Sequence, residues 1–266
     1  MSVDSKFFVG DDAFLGKTIY PIDADSIPHV SLTDKCIVLD LDLTLLCTQD
    51  NIQSLFSTEI LTNPQLLELR NRVYYFTVED VGRPGDGEKI DMWGVTRPHI
   101  KEFLLFCFSY FKIVAVWSAG QRLYVEAIVN YMFKDLPKPH IIFTADDTVF
   151  QNDHTYKPLS YLMSSNPVVS RIMTPLTTLA IDDNSSTFAY NKDNAVLIPA
   201  YSPSPNINSL SRDDPSLLQL KYWLLQPEVV AAQDVRKLNK STIFSTPVAV
   251  YKKKLAGYPG YNFGSF

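Results

Sequence analysis

Two aspartates follow a short apolar run near the start of the chain, in the segment Asp40-Leu41-Asp42-Leu43-Thr44. The run itself, residues 36–39, is typical of a buried parallel strand that ends on a polar residue. Carboxylates at positions i and i+2 just past a strand can face one pocket once the chain turns, and the Thr44 hydroxyl can hold them by a hydrogen bond. We therefore take this segment as the candidate centre of the protein's chemistry.

An Asp-x-Asp pair also occurs in plain turns and in calcium loops. Calcium loops of the EF type need oxygen ligands at a longer spacing, with a glycine and a terminal glutamate, and this segment lacks them. Later residues favour phosphoryl chemistry, namely Ser118 after a second apolar run, then Lys157, then Asp182-Asp183 after a third. Taken alone, Lys157 would be interpreted as a solvated lysine and Asp182-Asp183 as a turn.

The elements that must position these residues are short apolar runs separated by stretches of helical periodicity. Such alternation predicts an α/β domain with a mainly parallel sheet, whose ligands bind off the carboxyl ends of the strands. Strands are predicted at 36–39, 112–117, 141–143, 178–181 and 195–198. Helices are predicted from an N-cap at Thr96 through Phe106, near 123–131, from Asp214-Pro215 through Leu225, and near 228–238.

Between Thr44 and Thr96 the alternation breaks down. Residues 72–79 and 89–95 are predicted to be two strands of a hairpin inserted over the site, joined by a glycine-rich turn at 82–87. The glycines lie between strands, which favours a plain turn over a phosphate loop. The aromatic residues of this insertion either form an apolar wall that contacts residues beside a phosphate or pack the hairpin itself: Tyr74, Tyr75, Phe76 and Trp93.

Composition excludes several classes of protein. A hydrophobic content of 46% with 20% charged residues excludes a disordered or low-complexity chain. The net charge of -5 makes broad nucleic-acid binding unexpected. Six basic residues and no acidic one lie between Arg236 and Phe266. This basic tail is expected to fold back on the acidic body, to contact an acidic partner such as nucleic acid, or to stay solvated, and its removal after Lys240 to spare turnover.

The cysteines, the histidines and the apolar runs give no further candidate for a functional site. The cysteines (Cys36, Cys47 and Cys107) stand among apolar neighbours and are expected to be buried thiols of a reducing compartment. The histidines (His29, His99, His140 and His154) show no metal-ligand spacing, so surface or structural roles are expected. The longest apolar run, near 103–117, is interrupted by Ser109 and Lys112 and is too short to cross a membrane. With no secretory segment evident, we expect a soluble intracellular protein of the cytoplasm or nucleus.

The order of these motifs resembles the haloacid dehalogenase superfamily of aspartate-nucleophile phosphatases. More narrowly, the chain is similar to its CTD-phosphatase or NIF-like (FCP/SCP-type) branch, including versions carried by large DNA viruses. The resemblance covers about residues 35–225. It rests on Val38 to Leu45, Thr96-Arg97-Pro98 with Phe103-Leu104, Val116 to Gly120 with Tyr124, Tyr156 to Ser160, and Ala180 to Asn184 followed by Asn194-Ala195.

The chain departs from the family pattern at three places. Leu43 stands where the family usually has glutamate, Trp117-Ser118 where it has an aromatic residue and threonine, and Lys157-Pro158 where it has Lys-Asp. Neither Leu43 nor Pro158 is expected to perform chemistry, and Ser118 keeps the hydroxyl. These departures bear on substrate preference more than on activity.

The resemblance implies a Mg²⁺-dependent phosphatase that works through an aspartyl-phosphate. Asp40 would be the nucleophile, and Asp42 would protonate the leaving oxygen and then deprotonate water. A dianionic phosphate repels a carboxylate, so Mg²⁺ would lie between them. Its site would comprise the Asp40 side chain, the Asp42 carbonyl and Asp183, with Asp182 beside it orienting Lys157. Phosphate would be bound by the remaining predicted residues: Ser118, Lys157 and Thr44.

The expected substrate is phosphoserine or phosphothreonine in a protein, because the insertion is too short for the large cap that encloses small metabolites. Two alternatives stay open: a phosphatase for small molecules or nucleic-acid ends, and a catalytically silent interaction module. Arg97 is expected to cap or anchor its helix or to contact substrate. The predicted organisation is an N-terminal segment (1–34), a phosphatase domain (35–225, with its insertion at about 50–95) and a C-terminal helix with the basic tail (226–266).

Overall fold

The computed structural model describes residues 31–79 and 87–258. Most of the predicted N-terminal segment, nearly all of the predicted glycine turn, His29 and the last eight residues of the basic tail lie outside these ranges. The strands are β1 (Cys36–Leu39), β2 (Leu46–Gln49), β3 (Val73–Glu79), β4 (Lys89–Thr96), β5 (Ile113–Trp117), β6 (Ile141–Phe143), β7 (Val149–Gln151), β8 (His154–Tyr156), β9 (Thr178–Asp182) and β10 (Ala195–Leu197).

Helices cover both faces of this framework. They are α1 (Ile52–Phe56), α2 (Leu67–Arg70), α3 (Ile100–Tyr110), α4 (Arg122–Met132), α5 (Leu159–Ser164), α6 (Pro167–Ile172), α7 (Ile207–Leu210), α8 (Ser216–Leu224), α9 (Pro227–Val230) and α10 (Val248–Ala256). Short 3₁₀ turns lie at Pro64–Leu66, Ala145–Asp147, Lys192–Asn194 and Val235–Lys237.

A central sheet of five parallel strands has the order β10-β9-β1-β5-β6. Strand β1 is in the middle, and every residue of β1, β5 and β9 is buried. Successive side chains of these strands enter two different apolar clusters, one on each face of the sheet. The strands of a parallel sheet that is covered on both faces consist of nearly continuous apolar residues, which explains why all five strands were predictable.

The insertion and β2, the strand just before it, form a separate antiparallel sheet of order β2-β4-β3. The predicted pair, β3 and β4, is confirmed. Strand β2 was not predicted, because its four residues follow the Asp40 loop without a clear alternating pattern. A second hairpin, β7 and β8, was also not predicted and leads directly into Lys157.

The helix predicted from Thr96 begins later than expected. Thr96 is still the last residue of β4, where it pairs with Leu46, so it cannot serve as an N-cap. The helix α3 starts at Ile100, after His99 takes the left-handed conformation with φ of 66°. The intervening Arg97 and Pro98 are thereby left outside the helix, and Arg97 becomes free to contact other loops.

The segment beyond α8 is folded. The helix predicted near 228–238 is broken into α9 and a 3₁₀ turn, because the Asp234 side chain accepts from Arg236 N–H and starts a new turn. Farther on, Tyr251 and Leu255 of α10 are buried in the same apolar cluster as α8. The alternative of a solvated tail is therefore wrong for α10.

The three cysteines are buried, as predicted. His140 accepts a hydrogen bond from the backbone of Val114, and His99 contacts Asp213, so both have structural partners. Across 31–79 and 87–258, no helix combines the length and the apolar character needed to span a bilayer.

Candidate functional site

The site lies where neighbouring parallel strands end. Leu39, the last residue of β1, pairs with Val116 of β5 and with Ile181 of β9. Asp40 and Asp182 are therefore held at the same edge of the sheet, and the Asp40 N–H donates to the Ile181 carbonyl over 3.0 Å. Ser118 follows the end of β5 at this edge. The predicted convergence of these residues on one end of the sheet is what the structure shows.

The loop after β1 turns sharply at Leu43, which has a φ of 60°. A left-handed leucine costs about 1–2 kcal/mol, and backbone contacts must offset that cost. Here the Leu43 N–H donates to the Leu46 carbonyl and the Leu43 carbonyl accepts from the Tyr201 N–H. The turn points Thr44 inward, where its hydroxyl accepts from the Asp183 N–H at 3.1 Å and lies 3.3 Å from Asp183 Oδ1. Thr44 is fully buried and holds Asp183.

Lys157 bridges two of the carboxylates. Its ammonium lies 2.6 Å from Asp40 Oδ1 and 2.8 Å from Asp182 Oδ2, and all three side chains are buried. Burial lowers the pKa of Lys157, but the charges of Asp40 and Asp182 outweigh that effect and raise it above its ordinary value. The solvated-lysine interpretation is therefore wrong.

Asp40 is the most strongly perturbed acid of this group. Burial raises the pKa of Asp40 to about 7, against the opposing attraction of Lys157 and with a further rise from the Asp182 charge. Asp182 is engaged on both oxygens, since its Oδ1 also accepts from the Asn184 N–H at 2.8 Å. Clusters of perturbed carboxylates around one cation are typical of reactive sites.

Asp42 faces a different set of partners. Its Oδ1 accepts a hydrogen bond from the Tyr124 hydroxyl. Burial raises the pKa of Asp42, while the hydrogen bond from Tyr124, the charge of Lys157 and a hydrogen bond from Thr48 lower it in part. Burial also raises the pKa of Tyr124, and the nearby Asp42 charge raises it further, so the phenol stays protonated. The carboxylates of Asp40 and Asp42 thus lie in distinct environments.

Three carboxylates are close enough to hold one cation. Oxygens of Asp40, Asp182 and Asp183 lie within 4.8 Å of one another, the single such cluster among the described residues. Hard carboxylate oxygens are ligands that Mg²⁺ accepts, so the donor set fits that ion. Burial raises the pKa of Asp183, and the adjacent Asp182 charge adds to this rise. A cation would relieve both effects.

Ser118 is positioned by the loop that follows β5. Its Oγ accepts from the Gly120 N–H at 2.9 Å, and its own N–H donates to the Phe143 carbonyl. Because the hydroxyl oxygen already accepts, its proton remains to be donated to an anion. A side chain on Gly120 would meet Tyr124 at 2.8 Å and Ser118 Oγ at 3.1 Å, which accounts for glycine at this position.

Arg97 was expected to cap or anchor its helix or to contact substrate, and the structure shows instead that it joins separate loops. Its guanidinium is fully buried and donates to the carbonyls of Thr44 and Pro199 and to both oxygens of Asp214. It therefore anchors the loop after β1 to the start of α8, rather than capping its own helix. Asp214 had no recognisable signal, because its partner is more than a hundred residues away.

The predicted aromatic wall is wrong for most of its members. Tyr74 and Phe76 are buried in the main apolar cluster, and Trp93 is buried in the cluster inside the insertion, where its indole N–H donates to the Asn51 carbonyl. The packing alternative is correct for these three, since strands β3 and β4 alternate and present these side chains inward. Tyr75 is half-buried.

Comparisons with known proteins agree with this geometry. The profile of the NLI interacting factor-like phosphatase family matches residues 35–236. A solved structure of Fcp1, described as an essential RNA polymerase II CTD phosphatase, matches with a TM-score of 0.51 at 17% identity, covering 86% of this chain and 55% of that one. A variant of fission yeast Fcp1 bound to beryllium fluoride matches with a TM-score of 0.50 at 19% identity, covering 84% and 55%.

At these identities the structural matches show the fold alone. The chain spans about half the length of the Fcp1 chains that it matches. No curated protein sequence matches it.

Proposed function

The chain belongs to the NLI interacting factor-like phosphatase family of HAD-type phosphatases, and from that premise we propose that it hydrolyses phosphomonoesters through an aspartyl-phosphate on Asp40, with Mg²⁺ as cofactor. The observation that carries the proposal is the placement of Asp40, buried against the Lys157 ammonium at 2.6 Å and at the edge of a three-carboxylate cluster. Phosphate-ester hydrolysis needs both a nucleophile and strong charge neutralisation, and this edge of the sheet offers both.

Asp40 is the nucleophile in this proposal. Its Oδ1 is held by Lys157, so Oδ2 attacks phosphorus, an Oδ2–P bond forms and the bond to the leaving oxygen breaks. Asp42 gives its proton to that leaving oxygen. In the second step Asp42 takes a proton from water, the water oxygen attacks phosphorus, the Oδ2–P bond breaks and inorganic phosphate is released.

Binding of the phosphate falls to the remaining site residues. Ser118 donates its hydroxyl proton to a phosphate oxygen, and Lys157 supplies positive charge to the nucleophile and the transferring group. Thr44 contributes by holding Asp183 and the loop rather than through its buried hydroxyl. The Thr44 backbone N–H is also engaged, by the Leu41 carbonyl at 3.3 Å, so a direct contact between Thr44 and phosphate is not part of this proposal.

Asp40, the Asp42 carbonyl and Asp183 would hold Mg²⁺, and Asp182 would orient Lys157. Two observations support this division. Both Asp182 oxygens already have partners, whereas Asp183 is half-buried, is hydrogen-bonded to Thr44 through Oδ1 and lies in the carboxylate cluster. When bound, Mg²⁺ supplies positive charge that offsets the repulsion between a carboxylate nucleophile and a dianionic phosphate.

Phosphoserine or phosphothreonine in a protein is the proposed substrate class. The similar Fcp1 structures are described as RNA polymerase II CTD phosphatases. In this chain the insertion packs its rings against the body, Tyr74 on Tyr131 and Phe76 on Tyr124. The described part of the insertion is therefore packed in place, which does not suit a cap that closes over a metabolite. An open site suits a phosphate carried on a larger chain.

The test is a panel of phosphopeptides and small phosphoesters, each with Mg²⁺ and with a chelator. We expect activity that requires Mg²⁺, and a kcat/KM for the best phosphopeptide at least about tenfold above free phosphoserine, since one added transition-state contact of ~1.4 kcal/mol is enough. Sugar phosphates, nucleotides or nucleic-acid ends that outperform every phosphopeptide would replace the substrate class and leave the catalytic residues unchanged. A protein inactive on the whole panel would be a silent interaction module.

A further inference from the structure

Three hydroxyl groups from three separate elements lie in a line that ends on Asp42. The Tyr74 hydroxyl, from β3, lies 2.7 Å from the Thr48 hydroxyl of β2. The Thr48 hydroxyl lies 2.5 Å from the Tyr124 hydroxyl of α4. Tyr124 then donates to Asp42 Oδ1. Each contact is within hydrogen-bonding distance, so the four groups form one continuous chain.

The direction of this chain follows from counting protons. A phenol or an alcohol has one proton to donate. Tyr124 uses its proton for Asp42, so at the next contact the Tyr124 oxygen must accept and Thr48 must donate. Thr48 also hydrogen-bonds directly to Asp42, so its one proton is shared between the Tyr124 oxygen and the carboxylate. Thr48 has then used its own proton, so at the last contact Tyr74 donates. The hydrogen bonds run from Tyr74 to Thr48 to Tyr124 to Asp42.

We propose that this hydroxyl chain fixes the Asp42 carboxyl with Oδ1 as the acceptor, so that Oδ2 is the oxygen that exchanges its proton with the leaving group and with water. The inference rests on the proposed function, and it adds Tyr74 and Thr48 as positioning residues that touch neither substrate nor metal. The antiparallel sheet of β2, β4 and β3 thereby contributes to the reaction, since it carries both Thr48 and Tyr74.

The position of Tyr74 is set by a neighbouring glycine. A side-chain carbon on Gly94 of β4 would lie 2.3 Å from the Tyr74 hydroxyl, closer than any real contact allows. The Tyr74 ring also lies against those of Phe76 and Tyr131, with centroids 5.9 and 5.0 Å away. The far end of the hydroxyl chain is therefore held rigidly, as a positioning role requires.

The test uses two substrates that depend differently on a proton donor. An alkyl phosphate needs a proton on its leaving oxygen, whereas a nitrophenyl phosphate departs with little help. Thr48→Val keeps the shape of the side chain and removes both the link from Tyr74 to Tyr124 and the direct hydrogen bond from Thr48 to Asp42. We expect kcat for the alkyl phosphate to fall about tenfold, as the loss of one hydrogen bond predicts, with KM and the nitrophenyl rate within about twofold of wild type. Tyr74→Phe should give a smaller loss of the same kind.

A double variant tests whether Tyr74 and Thr48 act through one hydroxyl chain or independently of each other. Tyr74 acts only through Thr48, so Thr48→Val with Tyr74→Phe should be no worse than Thr48→Val alone, while additive losses would overturn the proposal. Thr48→Ser should restore the alkyl rate. Tyr131→Phe is the matched control, because this tyrosine contacts the Tyr74 ring without belonging to the chain, and it should leave the alkyl-to-aryl ratio unchanged.

The outcomes distinguish this inference from the proposed function. A wild-type protein that turns over neither ester nor any phosphopeptide would overturn both. A wild-type enzyme that is active and loses activity in Asp40→Asn, while Thr48→Val and Tyr74→Phe reduce both esters equally or not at all, would overturn only the hydroxyl chain. Thermal unfolding of each variant shows that it is folded, and Tyr74→Phe alone suffices if Thr48→Val does not fold.

Discussion

Lys157 lies 2.6 Å from Asp40 in an interior where both side chains are almost fully buried. Such a pair is costly to desolvate, and removal of one partner leaves the other uncompensated. The contact therefore links folding to chemistry, because the ammonium that favours the charged form of Asp40 also offsets the burial of Asp182.

The first prediction concerns the nucleophile. Asp40→Asn keeps the shape of the side chain but removes its attacking charge, so phosphate release should fall by at least ~10³-fold while the protein still folds. Asp50→Asn is the matched control, since Asp50 is exposed, and it should keep wild-type activity. Activity of Asp40→Asn within tenfold of wild type would contradict the covalent mechanism.

The second prediction concerns the buried cation. Lys157→Met leaves two buried carboxylates without their counter-charge and should lower the free energy of unfolding by about 3–5 kcal/mol at pH 8. Burial already raises the pKa of Asp40, and loss of Lys157 removes an interaction that opposes this rise. When the pKa of a carboxyl is higher in the folded state than in the unfolded chain, the free energy of unfolding falls as pH rises from the unfolded-state pKa through the folded-state pKa.

The loss in Lys157→Met should therefore be smaller at pH 5 than at pH 8, as measured by urea unfolding in the presence of a chelator. Lys192→Met, at an exposed lysine, should change the free energy of unfolding by no more than about 0.5 kcal/mol at either pH. A loss that is the same at both pH values would show that Asp40 does not change its protonation between pH 5 and pH 8.

The third prediction concerns the clamp between Arg97 and Asp214. Burial raises the pKa of Asp214, but the hydrogen bonds from Arg97 outweigh this and lower it below its ordinary value. A lowered carboxyl pKa stabilises the fold above the pKa of the unfolded chain, and this stabilisation is lost as pH falls through the folded-state pKa. Asp214→Asn should thus cost about 2 kcal/mol at pH 7 and much less near pH 3.

Urea unfolding of wild type and Asp214→Asn at the two pH values measures this difference. Asp213→Asn alters a neighbouring carboxylate that is mostly exposed, and its effect should stay within about 0.5 kcal/mol. If the cost of Asp214→Asn were independent of pH, the charge on Asp214 would not contribute to the clamp.

The fourth prediction concerns the acid. Asp42 must be protonated to give its proton to the leaving oxygen, and burial raises its pKa. The rate of alkyl phosphate hydrolysis should therefore fall as pH rises through that raised value, and Asp42→Asn should remove this falling limb of the pH profile. Asp42→Asn should also reduce the alkyl rate more than the nitrophenyl rate. Equal losses for the two esters would exclude Asp42 as the acid of the first step.

The fifth prediction concerns α10. Tyr251 and Leu255 are buried against α8, so Leu255→Ala should lower the free energy of unfolding by about 2–4 kcal/mol. Lys253→Ala, on the exposed face of the same helix, should stay within about 0.5 kcal/mol of wild type. Removal of all residues after Lys240 should abolish stable folding, contrary to the expectation that it spares turnover. A truncated protein with wild-type unfolding would show that α10 is dispensable.

The sheet and the acidic residues were predictable because their signals are local. The strand Ile113–Trp117 is buried on both faces and contains no polar residue. The first polar residue after such a strand lies at the carboxyl edge of the sheet, where the site is. The positions of Asp40, Ser118 and Asp182 all follow from that rule.

The partners of these residues were not predictable from spacing. Thr48, Tyr74 and Tyr124 belong to three elements that only the tertiary fold brings together. Arg97 was recognisable as part of a motif, but its acceptors on Pro199 and Asp214 lie in distant loops. For Trp93 both alternatives stayed open, because an aromatic residue in a strand is equally compatible with a binding wall and with a small core. Only the face of the sheet on which its side chain lies decides between them.

The central position of β1 has a consequence for how the protein acquires its site during folding. This strand lies between β5 and β9, so its neighbours come from parts of the chain about 75 and 140 residues farther on. Contacts that close such long loops form late, and the residues of β9 are the last of the three to leave a ribosome. The carboxylate cluster at the edge that carries Asp40 therefore cannot be complete in a nascent chain that stops short of Asp183, and catalytic competence has to wait until β9 has joined the sheet.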